Sequence, residues 1–168
     1  HSQSAAYAGG LRPDDVKRQW DEIDHLNEKN HGFIVLKGIE SDILADGSLD
    51  YTNGLLEGFD MVVASIHSQM GMPREEMTSR ICRAIEHPST RILGHPTGRL
   101  LLRREPYELD LDRVFEIAAK NRVAIEINSN PLRLDLDWRF IRKALNAGCK
   151  FAINPDAHNV RMIEDIRW

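Results

Sequence analysis

Five side chains able to grip a cation or move a proton stand just after short apolar runs: Glu40, His67, His95, Asp156 and His158. Imidazole and carboxylate together form a ligand set for zinc, manganese or iron. A cation needs several donors converging at about 2.0–2.2 Å. Residues this far apart in sequence meet only if the fold carries them to one place. A single histidine after a strand is more often a loop residue or a satisfied polar group. Several at the same end of successive strands have no such structural reason, and together they point to a metal site. His25 lies inside a helical pattern, His31 at its end, and His87 before Pro88 at the end of another helix, so these three read as surface or capping residues. Ser68 follows His67 but has no His-plus-acid set that would make it a nucleophile. Water beside a divalent cation suffices, because the cation brings its pKa to about 7 in favourable cases.

Other residues are placed to hold substrate. Arg99, Arg103 and Arg104 follow His95 closely, and their planar donor forks suit phosphate oxygens. For Arg103 and Arg104 a solvated surface with ion pairs explains the charge equally well; Arg99 is nearer the expected rim. Asn128 and Asn130 fall on the same rim, with Arg133 just past it. Asn130-Pro131 also suits a simple turn.

These residues need elements to position them. A helix is predicted from Pro13 to about Asn30, with Val16, Trp20, Ile23 and Leu26 at helical spacing. Phe33 to Gly38 reads as a strand ending at Glu40. Asp46-Gly47 marks a turn. Met61 to Ile66 reads as a strand ending at His67, and Pro73 opens a helix through Met77, Ile81 and Ile85. Arg91 to Leu93 is a third strand ending at Gly94-His95. A helix from about Leu111 to Lys120 leads to a strand from Val123 to Ile127. A helix from about Asp137 to Asn146 stops at Gly148, a good terminator. Lys150 to Ile153 is the last strand, and Val160 to Trp168 is predicted helical. Short, near-continuously apolar strands alternating with helices indicate a parallel sheet covered on both faces. An open α/β sheet and part of a β/α barrel both fit, and periodicity does not separate them. In a barrel, the carboxyl ends of the strands form one rim, where the active site is built.

The 168 residues suffice for one domain over 1–168, and no linker or repeat divides them. A formal charge of −4 gives no global field for nucleic acid, so any DNA contact must be local. Cys82 and Cys149 are far apart among apolar neighbours and read as small buried hydrophobes in a reducing cytosol. No apolar run approaches the roughly 20 residues that cross a bilayer, so no membrane partner is expected. With no initiator Met, the sequence is expected to start within a longer reading frame.

The motifs also resemble those of the PHP (polymerase and histidinol phosphatase) family. His1-Ser2-Gln3-Ser4, Gly38-Ile39-Glu40, Val63 to Ser68, Ile92 to Pro96 and Asp156-Ala157-His158 match its later motifs in order, over nearly the whole chain. Glu40 to Ser48 (ESDILADGS), Gly94 to Tyr107 (GHPTGRLLLRREPY) and Glu126 to Trp138 (EINSNPLRLDLDW) resemble the PHP domain attached to family X DNA polymerases. They fit histidinol phosphatases less well. The resemblance implies a distorted (β/α)7 barrel with up to three divalent metals, usually Mn or Zn. By motif order, Glu40 would bridge the first and second metals, His67 and His95 would complete the second site, and Asp156 would serve the first. His1 and His158 would bind the third. It further implies a phosphoesterase acting as a 3′–5′ exonuclease or in DNA-repair end processing. Its partners would be DNA 3′ ends or abasic DNA and a polymerase domain in the parent chain. The catalytic set would be Glu40, His67, Asp156 and Arg99.

Judged against that pattern, the opening His-x-His, the first strand and most of the second are expected to be missing, so that only the second metal site keeps its full family set. Asn154-Pro155-Asp156 carries Pro where the family usually has Thr or Ser. A partial barrel is expected to compensate by dimerising or exchanging elements. Two other readings are a metal-binding structural module of a polymerase and a small-molecule phosphatase.

Overall fold

The computed structural model describes residues 1–5 and 8–167. Helix α1 (Pro13–Lys29) is followed by β1 (Gly38–Asp42), the short α2 (Asn53–Leu56), β2 (Met61–Ser65), α3 (Arg74–Ile85) and β3 (Thr90–Leu93). Then come α4 (Leu111–Asn121), β4 (Ala124–Asn128), α5 (Trp138–Asn146), β5 (Phe151–Asn154) and a 3₁₀ helix (Val160–Arg167).

The five strands form one parallel sheet in the order β1-β2-β3-β4-β5. Each new strand adds on the same side as the last. A doubly wound sheet must reverse its direction of growth at a switch point; this one does not. The order is therefore consistent with part of a β/α barrel wall.

The two faces of the sheet differ. Ile39, Val62, Ala64, Leu93 and Ile125 are buried on the outer face. They join Val16, Met77, Ile81, Ile85, Val114, Phe115 and Ala144 in one core. Glu40, Val63, Ile92, Glu126 and Asn154 line a groove of about 300 Å³ along the inner face. Alternation along the strands separates the two sets, because successive side chains leave a strand on opposite sides.

Local chemistry fixes the ends of the elements. Asp110 caps α4 by accepting from the Arg113 N–H, and Asp137 caps α5 by accepting from the Arg139 N–H. Gly94 is required by close approach: a Cβ there would lie 2.4 Å from Ser65 Oγ and 2.8 Å from Val63 Cγ1. Its bareness lets β3 deliver His95 hard against β2.

One expected element is corrected. Phe33, Ile34 and Leu36 are 63%, 77% and 55% exposed and belong to no strand. The strand starts at Gly38, so Glu40 lies at its centre rather than beyond its end. An apolar run signals burial only if something covers it, and here no layer does. The expected C-terminal helix is a 3₁₀ helix with no buried residue, and Trp168 lies outside the described residues.

Candidate metal centre

Glu40 projects from the middle of β1, where Ser2 N–H donates to its carbonyl at 2.9 Å. Three imidazoles converge on its carboxylate. His1 Nδ1 is 2.9 Å from Oε2, while His95 Nε2 and His67 Nε2 are 3.1 and 3.3 Å from Oε1. Donors about 2.1 Å from a shared cation stand roughly 3.0–3.4 Å apart at octahedral or tetrahedral edges. The observed spacings are those of a coordination shell, and His1, Glu40 and His67 offer three donor atoms all within 4.8 Å of one another. The residues present therefore fit a divalent cation.

His67 is oriented from behind. Its Nδ1 lies 2.6 Å from Asp42 Oδ1, and Asp42 in turn donates its N–H to Ser2 Oγ at 2.9 Å. With Nδ1 engaged by Asp42, Nε2 is the nitrogen turned toward Glu40. This carboxylate–histidine arrangement is the usual support of a metal-ligating imidazole.

The second half of the site lies beyond β4 and β5. Asp156 Oδ2 meets Arg133 Nε at 3.2 Å and Asn128 Nδ2 at 3.3 Å. His158 Nδ1 lies 2.8 Å from the Asp156 carbonyl, and its ring stands 5.7 Å from that of His1, joining the two halves.

This site can be set beside known proteins. The chain is 44% identical over 167 residues, 99% of its length, to the DNA polymerase/3′–5′ exonuclease PolX of Bacillus subtilis. It is 32% identical over 143 residues to a probable phosphatase of Thermoanaerobacter sp., and 30% identical over 161 residues to one of Caldanaerobacter subterraneus. The chain belongs to the PHP family. It spans 29% of the length of the polymerase and 56% and 61% of the two phosphatases. No protein-family model matches the chain.

Charge in this PHP site is concentrated on Glu40. Burial would raise its pKa, but hydrogen bonds with His1, His67 and His95 outweigh burial and hold it far below the usual carboxylate range. Burial likewise pulls His67 down, yet Asp42 and Glu40 raise it to about 9. Glu126 behaves oppositely: burial pushes its carboxyl up despite the donors around it.

The predicted substrate residues divide. Arg133 Nη1 is buried with no hydrogen-bond acceptor among the described residues, beside Asp156. Arg99 instead donates to Asp137 and to the carbonyls of Arg133 and Leu134, none of them part of the imidazole–carboxylate cluster. Asn128 is fully buried and bonded to Glu126 and Asp156. Asn130 shapes a turn: its side chain accepts from the Leu132 N–H, and its carbonyl accepts from Arg133 and Leu134.

Sequence reasoning passed over Asp42, Glu126 and Arg80. Asp42 and Glu126 sat inside or beside apolar runs. The available signal was spacing of two: Glu40 and Asp42, and Glu126 and Asn128, share a strand face. Arg80 is 3% exposed and donates to the carbonyls of Ile43, Leu44 and Ser68, tying the loops after β1 and β2 together. It sits at a buried position of α3, where helical spacing predicts an apolar residue.

Proposed function

We propose that this PHP domain is a metal-dependent phosphoesterase that hydrolyses phosphodiesters at DNA 3′ ends, on a distorted (β/α)7 framework holding up to three Mn or Zn ions in the intact protein. The carrying observation is the convergence of three imidazoles on Glu40 at 2.9–3.3 Å. Glu40, His67 and His95 hold the central cation; Asp156, His158 and His1 serve its neighbours. A bound divalent cation supplies Lewis acidity toward the phosphoryl oxygen and a ready nucleophile from water. Arg133, whose buried Nη1 lacks an acceptor among the described residues, supplies a donor to the phosphate. Arg99, the residue expected from sequence to steady the phosphate, is assigned the support of the loop that carries Arg133. Asn128 orients Asp156, and Asn130 shapes the turn before Arg133. The polymerase relative, whose name includes a 3′–5′ exonuclease, favours DNA ends as substrate.

The test is release of a 3′-terminal nucleotide from a labelled oligonucleotide with added Mn²⁺. His67→Ala and His95→Ala are expected to lower turnover at least about a hundredfold. Full activity in both variants would refute the assignment. A second reading, phosphomonoester hydrolysis, is favoured by the phosphatase relatives. A nitrophenyl phosphate assay run beside the oligonucleotide separates the two.

A further inference from the structure

Glu126 projects from the centre of β4 onto the inner face and is 4% exposed. Its Oε2 accepts the backbone N–H of His95 at 2.6 Å and Asn128 Nδ2 at 3.2 Å; its Oε1 accepts Asn154 Nδ2 at 2.8 Å. Three donors from the ends of β3, β4 and β5 thus meet on one carboxylate.

Each donor leads to a residue of the metal centre. His95 has φ of +24°, a conformation that side-chain-bearing residues rarely adopt, and the bond from its N–H holds it there. That conformation aims Nε2 at Glu40, 3.1 Å away. Asn128 uses the same amide nitrogen to reach Asp156 Oδ2 at 3.3 Å. Asn154 stands two residues before Asp156, which is itself at φ +52°. Among the described residues Glu126 makes no hydrogen bond to Glu40 or Asp156, yet its three donors lead toward both halves.

We infer that Glu126 is a positioning residue, a buried acceptor hub that sets the distance between the Glu40–His67–His95 cluster and the Asp156 half of the centre. The inference rests on the metal-centre reading above. It predicts that acceptor geometry, rather than negative charge at that position, is what the site requires. Glu126→Gln replaces one acceptor oxygen with a donor, which must then face a donor from His95, Asn128 or Asn154. Adding Asn154→Asp restores a donor–acceptor match, because the introduced amide donates to the introduced carboxylate while its oxygen accepts from His95.

The experiment is titration of the full chain with Co²⁺, read by visible absorption and by bound metal, with circular dichroism to establish folding. Glu126→Gln is expected to weaken Co²⁺ binding about tenfold or more and to alter the absorption bands. The double variant is expected to recover both. Asn154→Ala cuts only the β5 arm and is expected to weaken Co²⁺ binding measurably but less than Glu126→Gln, which keeps the test available if Glu126→Gln does not fold. Wild-type affinity and bands in folded Glu126→Gln or Asn154→Ala, or a folded double variant with no recovery, would overturn the inference and leave the metal reading intact. Absence of Co²⁺ binding by the unaltered chain would overturn the metal reading itself, and this inference with it.

Discussion

Glu40 divides its partners between two oxygens, His1 on one and His67 with His95 on the other. A carboxylate shared in this way bridges naturally, and its ligands need support of their own. Asp42 gives that support to His67 at 2.6 Å. Asp42→Asn keeps the shape but offers a weaker acceptor, and is expected to lower cation affinity 10–100-fold with little loss of folding; calorimetric titration with Mn²⁺ or Zn²⁺ checks it. The protonation of His67 gives a second prediction. Its folded pKa of about 9 lies above the ordinary 6.5, so the stability it confers is full below pH 6.5 and is lost as pH rises through about 9. The cation-free chain is therefore expected to melt at lower temperature at pH 9 than at pH 6.5. Cation binding needs the neutral ring, so affinity should rise over the same interval. Melting curves and titrations at both pH values, with and without chelator, separate the two trends.

At the scale of elements, the ligands are placed by how closely strands approach one another. Gly94 lets β3 lie against β2 at Ser65 and Val63. Gly94→Ala is expected to cost about 1–3 kcal/mol and to loosen His95 from Glu40; denaturant unfolding and metal titration read the two effects. Four of the five strands were legible from their apolar runs and from the turn or capping residues that follow. The remaining strand was misplaced because Phe33 to Leu36 is apolar without being covered, while Gly38–Asp42 is half polar and carries the site. The cluster of rim histidines and acids was legible because such residues after strands have few structural reasons to recur. Asp42, Glu126 and Arg80 were not, because a buried polar residue inside an element looks like noise until its partners are known. Arg99's surroundings were hidden for a related reason: nearness in sequence to His95 says nothing of Asp137, 38 residues away, which takes its guanidinium.

Across the whole molecule, the sheet grows in one direction and keeps chain order along the rim. A cation bound there would tie together segments that run from His1 to His158, and its removal should be felt globally. At a hundredfold excess over its dissociation constant it contributes about 2.7 kcal/mol, so chelation is expected to lower the melting temperature by about 5–10 °C; a thermal scan with and without chelator measures this. An unchanged midpoint would mean that the cluster holds no ion tightly in the folded chain. The outer face of the sheet packs against helices, whereas the inner face carries the acids and amides. Substitutions that strengthen helix packing can accumulate behind the strands while the donor atoms in front keep their places. A lineage carrying this sheet is thereby free to adapt to heat and to change its substrate by separate routes.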